Sequence, residues 1–324
     1  MKVYFIAITI AVYILFHSGV SAACAAETSG AGKGRYIDVL KFGTDTDIAV
    51  TFGGVGVSLG EEVNRKVLDA LGERHSEKAC LALVRYVGNA AMAEAEPLLI
   101  RELGRRTQND DYREAVVVSI GQLRQASSID PLSLVYGEAQ TSIRIRKAIL
   151  DAYGKIGDPG VEEWIIEIAR NENENAELRA HAVLALGELG GKKAFETLET
   201  LVLKTYDAKL VRMYAVTALK KIGKGDALEI LGALIDDPVH EVAEYAVKGI
   251  ADIGTDRGGE LLVRALRSDY DKVRYYAIQG LSRINYPAAA DILKFKSEND
   301  ANETVRMEAR KAIASMKESA AVAQ

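Results

Sequence analysis

This chain is poor in the residues that usually give a function away. Its 324 residues include two cysteines, five prolines, one tryptophan and four histidines. Two cysteines, Cys24 and Cys80, exclude a disulfide framework. The scarcity of proline leaves long helices uninterrupted. A net charge of −5 lacks the cationic surplus that phosphate binding draws on, so no nucleic-acid partner is expected. Cys80 lies in the apolar stretch KACLALVRYV (78–87) and reads as a small buried residue.

Familiar site motifs are also missing. Asp45-Thr46-Asp47 fails as a calcium loop, because Ala49 stands at the third ligand position and Gly56 at the twelfth. GGVGVSLG (53–60) lacks the Lys-Ser/Thr of a phosphate loop. The expectation is no catalytic residue, no cofactor and no metal.

The N-terminus reads as a targeting segment. Lys2 precedes the apolar run VYFIAITIAVYILF (3–16), and HSGVSAACAAE follows. A charged start, a short apolar stretch and small residues at a cut describe a secretory signal over residues 1–25. The run is shorter than the span of about 20 residues that crosses a membrane comfortably. Cleavage before Cys24 or before Ala26 satisfies the small-residue rule. Cys24 is also a candidate for lipidation: Ala22 and Ala23 resemble a lipobox, whereas Ser21 stands where Leu is usual. Both outcomes, a cleaved leader or a lipid on Cys24, stay open. A Cys24 lipid would be the one link to a membrane. The chain is expected to be exported, to the periplasm or envelope.

What the chain has in abundance is repetition. Arg113, Arg146, Arg179 and Arg212 follow one another at 33 residues; Arg274 comes 62 residues later and Arg306 another 32. Each arginine opens a similar phrase, as in ELRAHAVLALGELG (177–190) and KLVRMYAVTALKKIG (209–223). Seven residues on stands a large apolar side chain: Ile120, Tyr153, Leu186, Leu219, Ile250, Leu281 and Ile313. Small residues precede it and another apolar one follows by three, which traces one stripe of an α-helix. A shorter amphipathic stretch lies ahead of each phrase, as in VEEWIIEIAR (161–170) and GELLVRAL (259–266). Gly157, Gly190, Gly223 and Gly254 are placed to close helices. A period in this range means stacked helix pairs that bury their stripes only against one another.

The resulting expectation is an all-α fold, a right-handed α-solenoid of stacked helix-turn-helix repeats. Residues 26–60 form a flexible leader and N-terminal cap, 61–318 the solenoid with regular repeats over 92–318, and 319–324 a tail. An extra helix is predicted near 76–88. Oligomeric state is not legible.

The phrase V-R-x-x-A-x-x-A-L-x-x-I-G resembles HEAT repeats, particularly the short bacterial form also seen in phycobilisome-lyase-like proteins. The resemblance implies a surface for a protein or peptide partner, lined by the second helix of each pair. It also brings to mind the HEAT-repeat di-iron hydroxylases, which need His-Glu pairs on several units. Here only His240-Glu241 forms one, beside His75 and His181.

Two rows of residues follow from the register. The arginines Arg113, Arg146, Arg179, Arg212, Arg274 and Arg306 read as a structural ladder, each meeting a carboxylate in a turn of its own or the next repeat. Ala243 interrupts it. Five residues before the apolar landmark, four consecutive repeats carry rings: His181, Tyr214, Tyr245 and Tyr276. Aromatic side chains with polar tips suit a docking surface, and they equally suit packing between neighbouring helices. The reading at this level is a non-enzymatic protein-binding scaffold in the cell envelope. The alternative is a lyase-like HEAT enzyme or an enzyme accessory subunit.

Overall fold

The computed structural model describes residues 30–73, 75–105 and 109–322. The segment read as a secretory signal, and Cys24 with it, lie outside the described residues. Within them the chain is all-helical, with short 3-10 turns and no strand. No described helix is long and apolar enough to cross a membrane.

Two compact units divide the chain after Ala152. The first holds α1 (Gly30–Phe42), α2 (Asp45–Phe52), α3 (Glu61–Gly72), α4 (Glu77–Asn89), α5 (Glu96–Leu103), α6 (Asp110–Leu123), α7 (Ile129–Gly137) and the start of α8 (Ile143–Ile156). The spacing predicts a helix near 76–88, and α4 occupies that place. α1 begins at Gly30, inside the segment read as a flexible leader. The turn from Thr44 into α2 is a capping box: the Thr44 hydroxyl accepts the Asp47 N–H while the Asp47 carboxylate accepts the Thr44 N–H. Asp45 then reaches across the sequence, its carboxylate accepting the Ser76 N–H at 2.6 Å and lying 2.8 Å from His75 Nδ1. Phe52 is wedged edge-on between Tyr36 and Tyr86, with ring centres 5.4 Å apart on both sides.

The second unit runs through α9 (Glu162–Arg170), α10 (Ala176–Leu189), α11 (Lys192–Leu203), α12 (Lys209–Ala233), α13 (His240–Ile253), α14 (Asp256–Ala265), α15 (Asp271–Arg283), α16 (Ala290–Asn299) and α17 (Glu303–Val322). The second helices stack in order, α10 on α12, α12 on α13, α13 on α15 and α15 on α17. The first helices α9, α11, α14 and α16 pack along them. The landmark residues Leu186, Leu219, Ile250 and Leu281 are wholly buried in this stack. Each contributes on the order of 1.5–3 kcal/mol by leaving water.

Small residues set the spacing of the stack. A β-carbon at Gly187 would stand 2.7 Å from that of Ala218, and one at Gly280 would stand 2.6 Å from that of Ala251. No other residue fits at these crossings without moving a helix.

Two further features differ from the sequence expectation. Gly157, Gly190 and Gly254 hold left-handed φ of 75°, 72° and 69° at helix ends, but Gly223 does not. There the chain stays helical from Lys209 to Ala233, fusing a second helix to the next first helix. The Phe195 ring closes on Gly223, and the following Lys-Gly-Asp carries no proline to stop the helix. At the other end α17 continues to Val322, into the stretch read as a tail.

Candidate functional site

The arginine ladder forms joints between repeats in the second unit. Arg179 donates from both terminal nitrogens to Asp207, at 2.6 and 2.7 Å, while its Nε donates to the Ala169 carbonyl. Arg212, wholly buried, forks in the same way onto Asp237 and donates to the Val202 carbonyl. Arg274 forks onto Asp300 with two bonds of 2.9 Å. Each carboxylate lies in the next repeat and also accepts a backbone N–H of its own turn: Ala208, Val239 and Asn302 respectively. Burial raises the Asp300 pKa, but the bonds from Arg274, the Asn302 N–H and Lys296 outweigh it and hold the carboxyl at about 2. Asp207 is likewise lowered, the Arg179 bonds overcoming its burial.

Elsewhere the ladder is looser. Arg113 lies 3.8 Å from Glu138, and Arg146 donates to the Glu138 carbonyl at 3.2 Å while its guanidinium covers the Tyr136 ring. The Nε atoms of both are buried without an acceptor. Arg306 donates to the Asp300 and Ala301 carbonyls. At the break, Ala243 is buried and Tyr270 bridges the gap instead. Its hydroxyl donates to the Pro238 carbonyl at 3.2 Å, and its ring lies 5.7 Å from that of His240.

The ring row sits half-buried along the second helices. His181 meets Tyr214 edge-on at 6.1 Å. Tyr245 and Tyr276 are joined by Lys248, whose Nζ stands 5.4 Å from the first ring centre and 3.8 Å from the second. Both of these rings therefore carry a cation, which the spacing alone did not show.

Tyr276 and Lys248 open onto a trough of about 550 Å³ formed by α13, α15 and α17. Asp252, Gln279, Arg283 and Glu308 line it as well. Asp252 is gripped by Lys220 at 2.7 Å and Arg283 at 2.9 Å. Burial raises its pKa, and these two bonds more than reverse that, so the carboxylate stays ionised. Burial lifts the neighbouring Tyr275 phenol, with Glu308 and Tyr276 adding to the effect. The trough thus gathers a carboxylate, a phenol and cations, which are the groups that transfer protons and stabilise developing charge. Tyr276 belongs to the ring row singled out from the sequence, whereas Lys248 and Glu308 lie in other repeats and line the trough beside it.

The first unit has a smaller groove of about 300 Å³, lined by Arg85, Asn89, Asp111, Glu114 and Gln122. Its carboxylates are taken up by Arg144, which bonds Asp111 at 2.5 Å and Glu114 through Nε at 2.9 Å. Nearby, Gly56-Val57-Ser58-Leu59-Gly60 matches the G-x-S-x-G pattern of hydrolase nucleophiles, a signal the sequence reading passed over. Ser58 is structural: its oxygen accepts from Asn64 and from the Gly60 N–H, and Tyr86 donates to Asn64. No strand leads into the turn. Cys80 is buried, and burial followed by the Glu102 charge pushes its thiol pKa up, away from reactivity.

Comparison with known proteins adds to this geometry. The family model for HEAT repeats matches residues 136–209, 162–248, 203–274 and 233–314, more than half of the chain. Human deoxyhypusine hydroxylase is 28% identical over 116 residues, covering 36% of this chain and 38% of that protein. Deoxyhypusine hydroxylase of Danio rerio is 35% identical over 89 residues, 28% of either chain. The chain thus spans well under half the length of these relatives. Among solved structures, the CpcE–CpcF complex of phycocyanin lyase from Nostoc is 21% identical, covering 67% of this chain and 86% of that one, with a TM-score of 0.41. The expectation of a non-enzymatic scaffold is corrected by these relatives, since both curated proteins are enzymes. Composition and repeat period were blind to this, because a HEAT array looks the same whether its surface only binds or also reacts.

Proposed function

The chain belongs to the HEAT-repeat family, and from that premise we propose that it is an enzyme, or a subunit of one, acting on a segment of another protein. The observation that carries the reading is that the curated relatives of its repeats are enzymes. Two features support it. Stacked repeats present extended surfaces suited to protein segments. The trough of the second unit brings polar side chains together in a concavity, the usual setting of a reacting group.

The side chains favour proton-transfer chemistry. In this reading Glu308 and Tyr276 take up and return a proton, and Lys248 and Arg283 supply fixed positive charge beside them. That suits addition or elimination at a substrate side chain, the lyase-like class. The repeated His-Glu pairs of a di-iron site do not fit this chain. His240 and Glu241 contact each other at 3.4 Å, His181 meets Tyr214 and His75 meets Asp45. Among the described residues no three His, Cys, Asp or Glu side chains are gathered for a metal.

The apolar run at 3–16 supports placement in the cell envelope, by export with cleavage or by a lipid on Cys24. The test of the enzymatic reading is intact-mass analysis of proteins from host cells lacking the chain. Restoring the chain is expected to change the mass of at least one protein. An unchanged set of masses would sink the proposal.

A further inference from the structure

The last helix pair of the second unit is uncovered at positions that the other repeats bury. α17 packs on α15 and α16 and is the last helix among the described residues. The six landmark residues from Ile120 to Leu281 are wholly buried, whereas the seventh, Ile313, is half-buried. Eleven residues before the ladder arginine, Val135, Ile168 and Leu201 are buried and Val263 is half-buried, but Phe295 is 59% exposed. Met307, beside Arg306, is exposed as well. The ladder stops at the same place. Arg179, Arg212 and Arg274 each fork onto a carboxylate of the next repeat. Arg306 instead donates to the Asp300 and Ala301 carbonyls behind it and takes part in no ion pair among the described residues. A terminal repeat stays soluble through a polar outer face. This one presents Phe295, Met307 and an unmatched guanidinium.

The first helix pair carries the matching groups. Phe42 at the end of α1 is 82% exposed, and Val50 on α2 is 77% exposed. Asp47 is exposed too, and its carboxylate accepts the Thr44 N–H at 2.8 Å and the Thr44 hydroxyl at 2.7 Å. Asp207, Asp237 and Asp300 are held in the same way, each by an N–H of its own turn, where they receive their arginines. Asp47 takes part in no ion pair among the described residues. Phe42 and Asp47 line one shallow concavity, and Val50 lies one turn on from Asp47 along α2. Arg35 and Asp38 line that concavity as well and offset each other, which leaves Asp47 for an incoming cation. We propose that a second copy of this chain covers α17, stacked head to tail so that its Asp47 receives the Arg306 guanidinium. Its Phe42 and Val50 then meet Phe295 and Met307. The contact repeats the charge-assisted fork that joins the inner repeats. Its two faces differ, so it is heterologous and builds open chains or rings rather than a two-fold dimer. Nothing in this stacking requires the enzymatic reading.

The test is sedimentation velocity on the full chain, purified as its host processes it, from about 1 µM to about 100 µM. The weight-average sedimentation coefficient is expected to rise across that range. Arg306→Glu and Asp47→Arg each bring like charges together at the joint, and each is expected to weaken association at least about tenfold. An equal mixture of the two variants again sets opposite charges against each other at every contact, and is expected to regain the wild-type rise. Circular dichroism checks that each variant keeps its helices. Met307→Asp alters an exposed side chain of α17 and is expected to weaken association as well. It carries the test should a charge variant lose its helices. A wild-type chain that stays monomeric to the highest concentration overturns the proposal. Association that persists in both Arg306→Glu and Met307→Asp, as one driven by the apolar run at 3–16 would, also overturns it. So does a mixture of folded charge variants that fails to associate.

Discussion

The two units carry the same arginine at the same place in the repeat and use it differently. In the second unit Arg179, Arg212 and Arg274 each fork onto a buried aspartate of the next repeat. In the first unit Arg113 has only a distant, part-exposed glutamate, and its Nε goes without an acceptor. The surfaces differ as well. Arg144 bonds the carboxylates of the first unit's groove, while Lys248 in the second unit's trough rests on the Tyr276 ring. A repeated residue thus marks the period, but its partner decides what it does. Where the partner is an aspartate held by its own turn, the arginine becomes a rigid joint that supports a site.

The sharpest way to break this comparison is to remove one carboxylate from each unit. Asp237→Ala leaves the Arg212 guanidinium buried and uncompensated, and is expected to cost about 3–5 kcal/mol in urea denaturation. Glu138→Ala is expected to stay within about 1 kcal/mol, as for an exposed pair. Equal losses would erase the distinction between the units.

A smaller effect concerns the helix crossings. Gly187→Ala drives a methyl into Ala218 and is expected to cost about 1–3 kcal/mol by overpacking. Gly137→Ala in the first unit meets nothing within 4 Å and is expected to change stability by no more than about 1 kcal/mol.

The smallest expected effect is one of pH. Asp207 and Asp300 have folded pKa values below the ordinary 3.8. A depressed folded value means that the stabilisation is full above the unfolded value. It is lost as pH falls through the folded one, which for Asp300 is about 2. Thermal midpoints followed from pH 5 downward are expected to drop below pH 4. The Arg274→Met, Asp300→Leu double variant should show a shallower drop. A parallel drop in both would show that the joint contributes nothing to acid sensitivity.

The helix pairs were legible because burial enforces a periodic stripe, and Leu186, Leu219 and Ile250 mark it directly. The ladder arginines were legible as a period. Whether each meets a carboxylate of its own or of the next repeat was left open, and Asp207, Asp237 and Asp300 all belong to the next repeat. The fused helix α12 escaped because Gly223 looks like a terminator until Phe195 is seen to cover it. Of the trough, the sequence offered Tyr276 through the ring row. Lys248 and Glu308 join it only once three repeats are stacked. The enzymatic reading stood in the sequence only as the alternative, because such a reading depends on which side chains converge rather than on what repeats.

The most direct test of the central claim, an enzyme component working through the second unit's trough, sets the two units against each other. Host cells lacking the chain are restored with wild type, with Glu308→Gln in the trough, or with Glu114→Gln in the first unit's groove, and intact protein masses are compared. The account predicts a mass change restored by wild type and by Glu114→Gln and absent with Glu308→Gln. Restoration by Glu308→Gln equal to wild type would contradict it.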